Sequence, residues 1–167
     1  MLDLSISGDG DSTPFDSLRA GLEGTRLSTQ LDGMNHPNLI SHIHVTISLE
    51  SLTTNLVSVD FDVMNPLDAD MVIEFVQSEG SVEGKVYAFF GQKFEGLVVP
   101  GGQTANSGVF DNVLLVQGAL ASLDIIPLGV MDISAATTIR IGGEDGYQIP
   151  WLEFKQTNVP VSYDLNI

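Results

Sequence analysis

The 167-residue chain has no cysteine, which removes disulfide frameworks and thiolate chemistry from consideration and leaves the redox compartment open. Cations are scarce: six Lys and Arg stand against 22 Asp and Glu, a net charge of -16. A chain of that sign repels nucleic-acid phosphates and anionic lipid headgroups, so no nucleic-acid partner is expected. No apolar run approaches the roughly 18 residues of a membrane span. The opening MLDLSISGDG has neither the basic flank nor the apolar stretch of a secretory signal, so the chain reads as soluble, with no direct membrane insertion of its own. There is no Asn-x-Ser/Thr sequon to mark a glycosylated surface.

What the sequence does have is regular apolar patterning. With 43% hydrophobic residues the chain is globular in composition, and its length suits a single domain, 1–167, around one core. Apolar residues alternate with polar ones at Leu2, Leu4 and Ile6, at Ile43, Val45, Ile47 and Leu49, at Val57, Val59, Phe61 and Val63, from Met131 to Ile141, and from Val159 to Ile167. Each run is the period-2 mark of a half-buried strand. Further strands are expected near 70–77, 84–90, 94–99 and 147–155. One helix is expected over 13–23, where Ser12 or Thr13 caps, Pro14 opens the first turn and Gly24 stops it. Residues 111–122 read equally as a second short helix or a strand. About eight short strands with Gly, Pro, Asn and Asp turns predict an all-β antiparallel β-sandwich.

The stretch NPLDAD, residues 65–70, interrupts two such strands. Pro66 cannot donate to a ladder, and Asn and Asp satisfy turn backbone with their own side chains, so the first strand must stop there and the chain must reverse.

The segment VSVDFDVMNPLDADMVIEFVQSEGSVEGKVYAFF resembles the type 2 late embryogenesis abundant (water-stress and hypersensitive-response) proteins. With LLVQGALASLDIIPLGVMDI and GGEDGYQIPWLEFKQTNVP, it is similar to fungal membrane-tethered or vacuolar relatives of that family, over about 40–163. The resemblance implies an immunoglobulin-like or fibronectin-like sandwich with no catalytic residues to carry over, a link to stress protection, and a place on the vacuolar or cell-surface side of a membrane. Composition alone leaves the cytoplasm open.

Candidate ligands are few. His42 and His44 sit two apart among odd-numbered apolar residues, so both point to the polar face. A hairpin turning near Thr53 is expected to set His44 opposite Asp62, a weak zinc candidate set of His42, His44 and Asp62; the competing reading is a solvated strand face. Asp9 and Asp11, with Asp68 and Asp70, lie in expected loops as weak calcium candidates. DGDS at 9–12 opens like a calcium loop but reaches Ala20 where the closing Glu belongs. GGEDG at 142–146 reads as a turn between strands and not as a phosphate loop. No Ser is placed beside a His by the strand pattern, and no Gly-x-Ser-x-Gly elbow occurs.

The leading expectation is therefore a non-catalytic structural or interaction module, not an enzyme, with no cofactor assigned and a protein or an apolar ligand as partner. The alternative is a carrier of an apolar ligand held between the sheets, where Trp151, Phe154, Tyr147, Tyr87, Phe89 and Phe90 are the aromatic candidates. Behind these stand a metal-dependent enzyme built on the histidines and a calcium-dependent binding module.

Overall fold

A computed structural model describes residues 2–7, 26–31 and 38–166. The chain divides into two compact units, Met1–Pro37 and Asn38–Ile167. In the first, β1 (Leu2–Ser7) pairs antiparallel with β2 (Arg26–Leu31), Leu2 opposite Leu31 and Ser7 opposite Arg26. The helix expected over 13–23 lies outside the described residues.

The second unit is nearly all strand. In chain order it comprises β3 (Ile40–Ser48), α1 (Ser51–Thr54), β4 (Leu56–Met64), β5 (Met71–Val82), β6 (Lys85–Val99), β7 (Thr104–Asn106), β8 (Phe110–Leu115), α2 (Ala119–Ser122), a 3-10 turn (Leu123–Leu128), β9 (Val130–Ile141) and β10 (Tyr147–Asn166). The expected strands near 84–90 and 94–99 are one strand, β6, and those at 147–155 and 159–167 are one strand, β10. Residues 111–122 divide into the end of β8 and the single turn α2.

The expected antiparallel sandwich is corrected by the strand order. Around the wall run β3, β10, β9, β5, β6, β8 and β4, and β4 pairs back onto β3, which closes a seven-stranded barrel. A sandwich keeps two sheets with open edges; here β3 is hydrogen-bonded on both sides. Its second neighbour is β10, and that pair is parallel, Val161 beside Ile43 through Asn166 beside Ser48. The seam between β6 and β8 is narrow, with Ala88 opposite Leu115, Phe89 opposite Leu114, and the Val116 N–H donating to the Tyr87 carbonyl at 2.9 Å.

Local chemistry sets the turn between β3 and β4. The Ser48 and Ser51 hydroxyls exchange hydrogen bonds with each other's backbone, Thr53 and Thr54 hydroxyls donate to the Glu50 carbonyl, and Asn55 takes a left-handed φ of 60° to end α1. The hairpin is thereby set with His44 opposite Asp60 and His42 opposite Asp62, two residues from the expected register. A slip of two keeps every side chain on its own face, so the inward and outward sets are those of the alternation.

Inside, Phe61 is 8% exposed and packs edge-on against Phe90 (centroids 5.8 Å apart) and stacked on Phe110 at 6.1 Å. At the barrel end, NPLDAD stops β4 as its chemistry requires. Asn65 is fully buried: its amide donates to the Ala69 and Val99 carbonyls at 2.8 and 2.9 Å, and its Oδ1 accepts from the Leu67 N–H at 3.0 Å. Its backbone N–H donates to the Gln103 carbonyl, so one residue ties the loop to the end of β6 through its side chain and to the following turn through its backbone. Gly101 permits the close approach, since a Cβ there would stand 2.5 Å from the Asp68 carbonyl oxygen.

Phe61→Ala is expected to destabilise by about 3–5 kcal/mol as a large-to-small core change, and Asn65→Ala by roughly 3 kcal/mol because buried carbonyls and an N–H lose their partner. Asp62→Ala should be nearly silent in the same denaturant titrations. Equal losses for Phe61→Ala and Asp62→Ala would overturn the assignment of faces.

Candidate functional site

The barrel interior holds a partly enclosed concavity. Inward side chains of β3, β4, β5, β6, β8, β9 and β10, closed by Ser122 and Ile125, surround a cavity of about 80 Å³. The lining is almost wholly apolar, with Ile43, Val45, Val57 and Ile133 typical of it. It is about half the size of an apolar cavity that takes up benzene, ~150 Å³. Gly80 makes room for Met131, whose Sδ would lie 2.3 Å from a Cβ at that position, so a flexible thioether forms part of the wall.

One polar atom stands out in this lining. The Tyr163 hydroxyl is buried and has no hydrogen-bond partner among the described residues. Burial pushes the Tyr163 phenol above its usual range, so it stays protonated and able to donate. Of the six aromatic candidates, Tyr87 and Phe90 line the cavity and Phe154 packs on the core, whereas Phe89, Tyr147 and Trp151 are exposed on the outside. Tyr163 was legible as an inward residue of the last strand, but not as a neighbour of β3.

The outer face of the closing seam carries the histidines. His44 lies between two carboxylates, Nδ1 3.6 Å from Asp60 and Nε2 3.1 Å from Asp164. The two acids meet opposite ring nitrogens, so they cannot converge with His44 on one ion. His42 turns to β10 instead, its Nε2 2.8 Å from the Ser162 hydroxyl. Asp62 and Asp60 are bridged by the Asn106 amide at 2.8 and 2.9 Å. The set His42, His44 and Asp62 is thus adjacent on one face but directed to different partners, and no group of three metal-ligating side chains converges among the described residues.

The expectation that no Ser lies beside a His is corrected: the parallel pairing of β10 brings Ser162 against His42 from 120 residues away. No carboxylate among the described residues is within ion-pair reach of His42, so the pair lacks the third group that orients a base.

Asp68 and Asp70 are exposed at the barrel end, and Asp70 accepts from the Gly101 N–H at 3.2 Å. Asp9 and Asp11 lie outside the described residues. GGEDG is the turn between β9 and β10, with Gly142 and Gly143 at φ of 94° and 84°. Beside it, Arg140 Nε and Nη2 donate to one oxygen of Glu74 at 3.1 and 2.8 Å, and Gln148 donates to the other. The Arg140 hydrogen bond first, then that of Gln148, hold the Glu74 carboxyl below its usual range.

No family model and no curated protein matches the chain. Among solved structures, a protein from Archaeoglobus fulgidus is similar at 16% identity, with 62% of this chain and 84% of that one covered and a TM-score of 0.32.

Two outcomes are expected. Because Glu74 is lowered when folded, its contribution is present at neutral pH and is lost as pH falls through its folded value; the melting-temperature difference between the wild type and Glu74→Gln should shrink from about pH 6 to about pH 3. Melts in calcium, magnesium and sodium chloride at matched ionic strength should shift similarly and little, and Asp68→Asn/Asp70→Asn should not alter them. A large calcium-only shift abolished by that double substitution would establish a calcium site.

Proposed function

We propose that this chain is a non-catalytic binding module whose barrel takes up a slender apolar ligand, or the apolar end of a larger one. The observation that supports it is the apolar cavity with one donor in its wall, the Tyr163 hydroxyl, that has no partner among the described residues. A ligand with an alkyl body and one hydrogen-bond acceptor would fill space that excludes polar groups and satisfy a hydroxyl that burial otherwise leaves unpaired. Entry is by the narrow seam between β6 and β8, since Tyr87, Ala88 and Leu115 border both that seam and the cavity. The resemblance to the type 2 late embryogenesis abundant family adds a stress-protective, extracytosolic setting to this reading.

A structural or interaction module is the second reading. On the outer wall Leu56, Leu114 and Phe89 stand side by side on three neighbouring strands, Phe89 39% and Leu114 45% exposed. An apolar row of this kind on an acidic surface favours contact with a protein partner.

Native mass spectrometry of the purified chain is expected to find a co-purifying apolar molecule, and delipidated protein should bind an environment-sensitive dye that medium-chain fatty acids displace. Ala88→Leu, which fills the cavity, should abolish displacement while keeping or raising the melting temperature. Tyr163→Phe should weaken fatty acids more than alkanes. Delipidated wild type that binds neither dye nor fatty acid would overturn the carrier reading.

A further inference from the structure

The single tryptophan of the chain sits in a place that packing does not explain. Trp151 is 56% exposed and has a φ of 62°, a left-handed conformation that bulky side chains rarely adopt. It belongs to a bulge in β10, where the pairing with β9 skips from Ile149 to Leu152 and leaves Pro150 and Trp151 without partners. The indole Nε1–H is held by Glu153 Oε1 at 3.2 Å.

Beyond the bulge, two rows of outward residues cross β10, β9 and β5: Glu153, Ala136 and Gln77 in one, Lys155, Ser134 and Glu79 in the next. The middle strand contributes only Ala and Ser, while both flanking strands carry long polar side chains. Strands lie about 4.8 Å apart, so the flanking backbones are roughly 10 Å from each other, and the short middle residues leave a trough between them. Its volume is about 490 Å³, and Trp151 forms part of its wall.

The chemistry of this trough selects its ligand by elimination. Two carboxylates against one ammonium, on a chain of net charge -16, disfavour an anion. An apolar ligand would desolvate Gln77, Glu79, Glu153 and Lys155 without pairing them. A peptide added as a strand needs an open edge, and β9 is paired on both sides. A neutral polyhydroxylated ring meets every requirement: its hydroxyls pair with carboxylates, amide, ammonium and the Ser134 hydroxyl, and its polarised C–H face lies on the negative face of the indole. We propose that the Trp151 trough is a binding site for a neutral carbohydrate, separate from the barrel cavity.

Because the chain has one tryptophan, its fluorescence reports this site directly. The full chain should be titrated with cellohexaose, chitohexaose, laminarihexaose and mannohexaose, and run in native gels containing the corresponding polysaccharides. A saturable emission change and retardation with at least one of them is the expected result. In the gels Trp151→Ala should weaken retardation by about tenfold, the weight of one stacking contact, and Gln77→Ala should weaken it less. Glycine accepts a φ near 60° without strain, so Trp151→Gly should weaken retardation as much as Trp151→Ala while its melting temperature holds or rises. Ala88→Leu should leave sugar binding intact, which separates this site from the cavity. No saturable change with any of the four oligosaccharides and no retardation, or full retardation by Trp151→Gly, would overturn the proposal.

Discussion

The parallel contact between β3 and β10 is the constraint on which the second unit depends. Six consecutive residues, Val161 to Asn166, lie beside Ile43 to Ser48 and turn a row of hairpins into a closed wall. Closure gives β3 a second hydrogen-bonded neighbour and removes the open edge that a strand-rich chain must otherwise protect. It also places Tyr163 in the cavity lining, and Ser162 and Asp164 against the two histidines outside. One pairing thus supplies both the interior donor and the polar face of the seam.

The wall separates two chemistries cleanly. Inside, apolar side chains leave a small space whose only unpaired buried side-chain group among the described residues is a phenol. Outside, three carboxylates on strand faces are held by short networks: Asn106 between Asp60 and Asp62, Arg140 and Gln148 on Glu74. Such exposed pairs contribute little to stability one by one. They orient side chains, whereas the trough on β10, β9 and β5 comes from the short Ala136 and Ser134 of the middle strand, with Trp151 in its wall.

Irregular backbone is concentrated where the barrel needs it. Asn65, wholly buried, makes four hydrogen bonds: two within the loop after β4, to Ala69 and from Leu67, one to Val99 at the end of β6, and one from its own N–H to Gln103. In β10, bulges at Ile149/Leu152 and Gln156/Val159 let one strand of twenty residues follow β9 first and β3 later. Bulges bend and twist a strand, which is what a strand passing between neighbours in a closed wall must do.

Much of this was legible locally. The alternation of Ile43 to Ile47, Val57 to Val63 and Val159 to Val161 determined which residues face the core, because a period of two is a property of each strand alone. NPLDAD announced a stop and a reversal through Pro66 and the Asn and Asp side chains. The partners were another matter. The one-turn α1 moved His44 from Asp62 to Asp60 without changing any face, and the meeting of residues 42 and 162 rests on a contact across 120 positions that no local pattern encodes. Sandwich and barrel share strands, turns and alternation and differ only in which edges meet. That choice, and with it the cavity, the seam and the Trp151 trough, belonged to the tertiary structure, because edge pairing is decided by the packing of all strands together.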